Sequence, residues 1–309
     1  MTDIAIIAIR WALYIDLGLL FGLPLFALYT LGGDRIERGY LPIAAMIAIL
    51  ALIGAVLSVV GFAIQAASMA GLPLLHPDFA LLRDLLGGTA LGTALQVRLA
   101  ALLVLLLCAA LYDRAPRAVT ITAGVAGALA LGTLAWSGHG AAGEGNAGWV
   151  QLAADLVHLL AAGAWLSAIA AFFTLVAGKA VTADIQRVRI AALCLRGFAI
   201  TGTVLVGLLL VTGIGNGIFL IGPAHIASLW QSTYGLLLLL KLALFAAMLG
   251  LAALNRYRLT PALSLAIEQR DTRLALQVLR RSLLIEGGLA VIIFGLVAWL
   301  GTLAPPISS

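Results

Sequence analysis

Residues 149–165 read WVQLAADLVHLLAAGAW and follow a glycine-rich segment, SGHGAAGEGNAG, at 137–148. The stretch is apolar enough to cross a bilayer, yet it holds a carboxylate and an imidazole, Asp155 and His158, three residues apart. On a helix, Gln151, Asp155, His158 and Trp165 fall at i, i+4, i+7 and i+14 and share one face. An ionisable group at that depth costs on the order of 2.5–3.5 kcal/mol by insertion scales unless it is paired or metal-bound. A helix with this stripe has to bury it against other helices, which predicts a membrane-embedded bundle.

The rest of the chain agrees. It is 63% hydrophobic and 10% charged, with a mean hydropathy of +1.14, whereas soluble domains carry about 25% charged residues. Eight apolar runs can be drawn, at 4–31, 41–70, 90–112, 118–136, 149–177, 195–221, 233–254 and 282–303. Each reaches about the 20 residues that a spanning helix needs. Helices satisfy their own backbone groups in lipid, so the expected fold is all-α, a polytopic bundle of about eight transmembrane helices. With short connections, residues 1–309 form a single transmembrane domain. The first run lacks a basic leader and is interrupted by Arg10 and Asp16, so it reads as a retained span and not as a cleaved signal.

The charge has a direction. Of the 18 Lys and Arg residues, 14 fall in the first, third, fifth and seventh connections, from Arg35 and Arg38 to Arg280 and Arg281. The second, fourth and sixth hold only Arg83. The positive-inside rule places the odd connections in the cytoplasm and both termini in the periplasm. The net charge of +5 is thus a topology signal, and nucleic acid is not expected as a partner. Segment 256–281 reads as a basic helix lying on anionic lipid after Pro261.

His76, His139 and His225 fall in the even connections, and His158 lies nine residues into the fifth run. The histidines therefore gather toward one side of the membrane. Two readings of them stay open. In the first, His139, Glu144, Asp155 and His158 ligate a metal, with the flexible glycine-rich segment folding over the helix mouth. Met69 would add a thioether, and Gln151, Trp165, Lys241, Tyr234 and Arg98 would support the site. In the second, Asp155 pairs with Lys241 or Arg98, and His158 hydrogen-bonds a neighbouring helix. Tyr234, Lys241, Met248 and Asn255 recur at heptad intervals, so they share a face that meets other helices. Lys241 is too deep to reach water easily and calls for a carboxylate, Asp155 or Asp16. Cys108 and Cys194 form no disulfide or zinc spacing and read as small hydrophobes. No Walker loop, dinucleotide fingerprint or nucleophile elbow is present, so no enzyme is expected.

Three stretches carry a family resemblance. They are WSGHGAAGEGNAGWVQLAADLVHLLAAGAWLSAIA at 136–170, LLLVTGIGNGIFL followed by STYGLLLLLKLALFAAMLGLAALNRYRLTP at 208–261, and QAASMAGLP at 65–73. They resemble the copper resistance protein D family, strongest over 136–261. The family's usual Trp-Leu-Gly is Trp165-Leu166-Ser167 here. The resemblance implies a bacterial inner-membrane protein that moves copper ions, Cu+ or Cu2+, from periplasm to cytoplasm beside a separate CopC-type periplasmic copper-binding protein. It leaves homo-oligomerisation open. Two competing readings are a haem-binding membrane redox protein, since His158 is a deep imidazole, and a non-transporting receptor for a copper chaperone.

Overall fold

A computed structural model describes residues 2–31, 40–71, 79–137, 145–177, 185–222 and 229–304. Among these residues there are ten α-helices and no strand. They are α1 (Thr2–Phe26), α2 (Ile43–Met69), α3 (Phe79–Gly88), α4 (Ala90–Leu111), α5 (Pro116–Gly132), α6 (Gly145–Val176), α7 (Ile185–Ile221), α8 (Thr233–Leu254), α9 (Thr260–Glu268) and α10 (Arg273–Leu300). Eight of the helices, all but α3 and α9 as separate spans, are long and apolar enough to cross a membrane.

Helix α1 is the hub. It packs against α2, α5, α6 and α10, and its Leu17 and Leu20 are fully buried. Lipid tails are as apolar as leucine, so helices in a bilayer associate by close packing of small residues and by interhelical hydrogen bonds. The α1–α6 contact shows both. A Cβ on Gly163 would stand 3.1 Å from the Gly18 Cα, and Ser167 Oγ donates to the Gly18 carbonyl at 3.0 Å. Ser167 is therefore a donor that ties the two hub helices. On the other flank of α1, Gly127 of α5 faces backbone atoms of Leu20 and Phe21, 2.7 Å from where its Cβ would be.

The remaining helices form a looser side. Helix α7 packs on α6 and α9, while α8 has α10 as its main partner and does not pack extensively on α6 or α7. A seam therefore runs between α8 and the α6–α7 pair, while α10 packs on both α8 and α6.

Two boundaries depart from the sequence reading. The last span begins at Arg273 and α7 at Ile185, because Leu276, Leu279 and Val188 are buried and draw the helices past the apolar runs. The expected surface helix over 256–281 divides instead. Residues Asn255–Leu259 form a π-helical turn, α9 presses the fully buried Leu263 into the core, and Arg273 onward belongs to α10. Thr260 Oγ1 donates to the Asn255 carbonyl at 2.8 Å across that turn.

Gly127→Val should lower the unfolding midpoint of the purified protein, at a cost of about 1–3 kcal/mol for overpacking against backbone. Gly207→Ala, with open space around the glycine, should leave the midpoint unchanged. Equal midpoints in a thermal-denaturation assay would refute this account of the hub.

Candidate functional site

The seam gathers the polar side chains of the second half of the chain. Asp155 and His158 project from α6 toward α7. There Asn216 Nδ2 donates to Asp155 Oδ1 at 2.5 Å, and His158 Nδ1 lies 2.9 Å from Thr212 Oγ1. Thr212 Oγ1 also donates its one proton to the Leu208 carbonyl at 2.5 Å. A hydroxyl has a single hydrogen, so while it bonds Leu208 it acts as an acceptor toward a ring protonated on Nδ1. The ring has a further backbone partner at Leu209 on α7. Orienting a metal-binding imidazole through its other nitrogen is a common second-layer device. Gly213 of α7 faces the ring, and a Cβ there would stand in ordinary contact, 3.5 Å from His158 Cε1.

Across the seam, Lys241 and Tyr234 of α8 lie near enough to act electrostatically on Asp155, and Lys241 acts on His158 as well. The expected Asp155–Lys241 pairing thus operates through the field, while the direct contact on Asp155 is Asn216. The reason is structural: α8 leans on α10, which leaves the ammonium across the gap. Asp16, the other acid considered for Lys241, sits instead between α1 and α2 against Gly54.

The other candidates are distributed as follows. His139 and Glu144 lie outside the described residues. Gln151 is half-buried one turn from Asp155 on α6. Met69 is 66% exposed at the end of α2, a helix that packs on α1 and α4 and not extensively on α6. Arg98 is buried and donates Nε to Thr133 Oγ1 at 2.7 Å, lining a small cleft with Arg10, Tyr14, Ser58 and Gln65. Cys108 and Cys194 are both in the main core. Among the described residues no group of three or more His, Cys, Asp and Glu side chains is placed to hold a metal ion. Asp155 and His158 lie one turn apart on α6, each hydrogen-bonded to α7.

Trp165 does not serve that pair. Seven residues further along α6, its Nε1 donates at 3.2 Å to Oε1 of Glu286, a buried carboxyl on α10. Asn255 Nδ2 donates to Oε2 of the same group at 2.8 Å. The sequence reading missed Glu286. The available signal was an acid within an otherwise apolar run, which marks a functional or paired group by default.

Comparison with known proteins places the chain. Residues 1–149 match the family described as copper resistance protein D-like, N-terminal domain, and residues 192–300 match copper resistance protein D. The chain is 40% identical over 306 residues to the copper resistance protein D of Pseudomonas syringae pv. tomato, covering 99% of this chain and 98% of that protein. The chain belongs to the copper resistance protein D family. Residues 150–191, which include Asp155 and His158, lie between the two matched stretches, whereas Asn216, Lys241 and Glu286 lie within the second. No solved structure matches.

Lys241→Met should destabilise the bundle by roughly 2–3 kcal/mol, because it leaves Asp155 charged with a single neutral donor in a dry interior. Adding Asp155→Asn should restore part of that loss. A double-mutant cycle of unfolding free energies that shows no coupling would contradict the electrostatic assignment.

Proposed function

We propose that the protein moves copper ions across the bacterial inner membrane from periplasm to cytoplasm, as a transporter and not an enzyme. A separate CopC-type periplasmic protein hands it the metal. The observation that carries this reading is His158, an intramembrane imidazole held against Thr212 one turn from Asp155, whose carboxyl meets Asn216 of the same neighbouring helix. Imidazole with carboxylate suits Cu(II), and imidazole with thioether suits Cu(I). The name of its relative, copper resistance protein D, agrees with copper as the cargo.

The orientation rests on the distribution of charge. With the arginine-rich connections in the cytoplasm, both termini, His139 and Glu144 face the periplasm. Counted from Gly145, His158 is about 20 Å along α6 at 1.5 Å per residue. Metal would thus meet His139 and Glu144 first and the Asp155–His158 pair further in.

Proteoliposomes supplied with copper, under reducing and non-reducing conditions, test the reading. The parent should accumulate copper. His158→Ala should lower the initial rate at least tenfold, and Thr212→Val should lower copper affinity about 10–100-fold by releasing the imidazole. Parent vesicles that take up no more copper than empty ones, or a His158→Ala variant that matches the parent, would overturn it. A C-terminal cysteine tag should be labelled by an impermeant reagent from the periplasmic side alone; labelling only from the cytoplasm would reverse the orientation.

A further inference from the structure

Glu286 has no part in the site just described, and its surroundings are unusual for a group with only a structural purpose. It is 4% exposed and halfway along a spanning helix, and its two oxygens meet neutral donors alone, Trp165 Nε1 and Asn255 Nδ2. Two further polar atoms next to it are left over. Asn255 Oδ1 is buried without a partner, and so is Ser282 Oγ, one turn from Glu286 on α10. A buried network that serves only structure normally satisfies every member. This one keeps two spare acceptors beside a carboxyl group, as a site that gains and loses a hydroxyl hydrogen requires.

The charged and titratable groups on the surrounding helices are directed elsewhere, and Asp16 has no hydrogen-bond partner on either carboxyl oxygen. On α1, Asp16 faces Gly54, and the Tyr14 ring lies against Phe294 at 6.3 Å between centroids. On α6, Asp155 and His158 bond Asn216 and Thr212, and on α8, Lys241 and Tyr234 face Asp155. Arg256, beside Asn255, donates to the Ala199 carbonyl and Thr203 Oγ1, while Arg258 and Glu268 are exposed. On α10 itself, Arg280 donates to the Val176 carbonyl. An ionised Glu286 would therefore be a carboxylate in hydrocarbon with no counter-charge in contact, a costly state.

We propose that Glu286 is a membrane-embedded proton-binding site. It gives up its proton when a metal ion occupies the Asp155–His158 level and takes one back when the metal leaves. In that step the carboxyl O–H bond breaks, the electron pair stays on the carboxylate, and the proton passes to water; nothing is oxidised or reduced. The proposal rests on the copper reading above for the identity of the cation. Trp165 is seven residues from His158, a rise of about 10 Å, and it touches Glu286. At an effective dielectric constant of about 20, one positive charge at that distance shifts the protonation balance on the order of tenfold, and two shift it about a hundredfold. That is enough to couple the two levels without contact. Copper itself is a poor occupant of this lower level, where the donors are a carboxylate, an amide and a hydroxyl and no imidazole or thiolate is present.

Glu286→Gln is the discriminating variant. Its amide can still accept from Trp165, and Asn255 can turn its amide to meet the new NH2 with its spare oxygen, so the fold should hold. In infrared spectra of the metal-free protein in lipid, parent minus Glu286→Gln should show a protonated-carboxyl C=O band. That band should shrink when copper is added. In weakly buffered solution with a pH dye, copper loading of the parent should release about one proton more than loading of Glu286→Gln at equal copper bound. No carboxyl band in the metal-free difference spectrum, or a band and proton count indifferent to bound copper, would overturn the proposal. Failure of the copper reading would show separately, as a parent that binds no copper, and the metal-free band decides the protonation of Glu286 in that case too.

Discussion

The fold depends on how closely α1 and α6 approach. In lipid, burying apolar side chains against each other gains little over leaving them in the tails, so two helices stay together only where their backbones can come near and their polar groups can bond. Gly18 and Gly163 allow that approach, and Ser167 adds a hydrogen bond to the Gly18 carbonyl at the point of closest contact. Because α1 also holds α2, α5 and α10, this contact sets where α6 stands and which face it turns to α7. That face carries Asp155 and His158. The same small residues that close the hub therefore aim the ionisable stripe into the seam.

The seam itself follows from an unequal division of packing. Helix α6 is held on one side by α1 and on another by α7, whereas α8 leans mainly on α10. Asn216 and Thr212 satisfy the acid and the imidazole from the nearer wall, and Lys241 acts across the gap from the farther one. The carboxyl thus has a neutral donor in contact and a positive charge at a distance. An apolar cluster that includes Trp165, Leu205, Leu209, Met248 and Phe294 adjoins this level, and the Trp165 indole bonds Glu286. Polar and apolar levels thus alternate along α6, which separates the two carboxyls without isolating them electrostatically.

Much of this was legible because it is local. Span length and hydropathy predict eight crossing helices, and the 3.6-residue period puts Asp155 and His158 on one face. The heptad of Tyr234, Lys241, Met248 and Asn255 marks the face of α8 that looks into the seam, and three of the four proved buried. What was not legible is pairing between helices. Nothing in the local pattern says that Trp165 turns to a carboxyl 121 residues away, or that Asn255 reaches one 31 residues on. Met69 illustrates the same limit on reading: its position at a helix end was readable, but not that α2 packs on α1 and α4. The segment after Pro261 misled differently, since its arginines suggested a surface helix while Leu263 and Leu276 bound it to the core.

Ser167 shows how tightly fold and site are joined. A Cβ at Gly22 of α1 would run into the Ser167 side chain, so the serine occupies space that the facing glycine leaves open. The hydroxyl would be costly in hydrocarbon if unpaired, and the Gly18 carbonyl removes that cost. Trp165 lies two residues away on the same helix, so the rotation of α6 that Ser167 fixes is also the rotation that points the indole N–H at Glu286. A change in that rotation would reach both polar levels of the seam at once, since Asp155, His158 and Trp165 share one helical face.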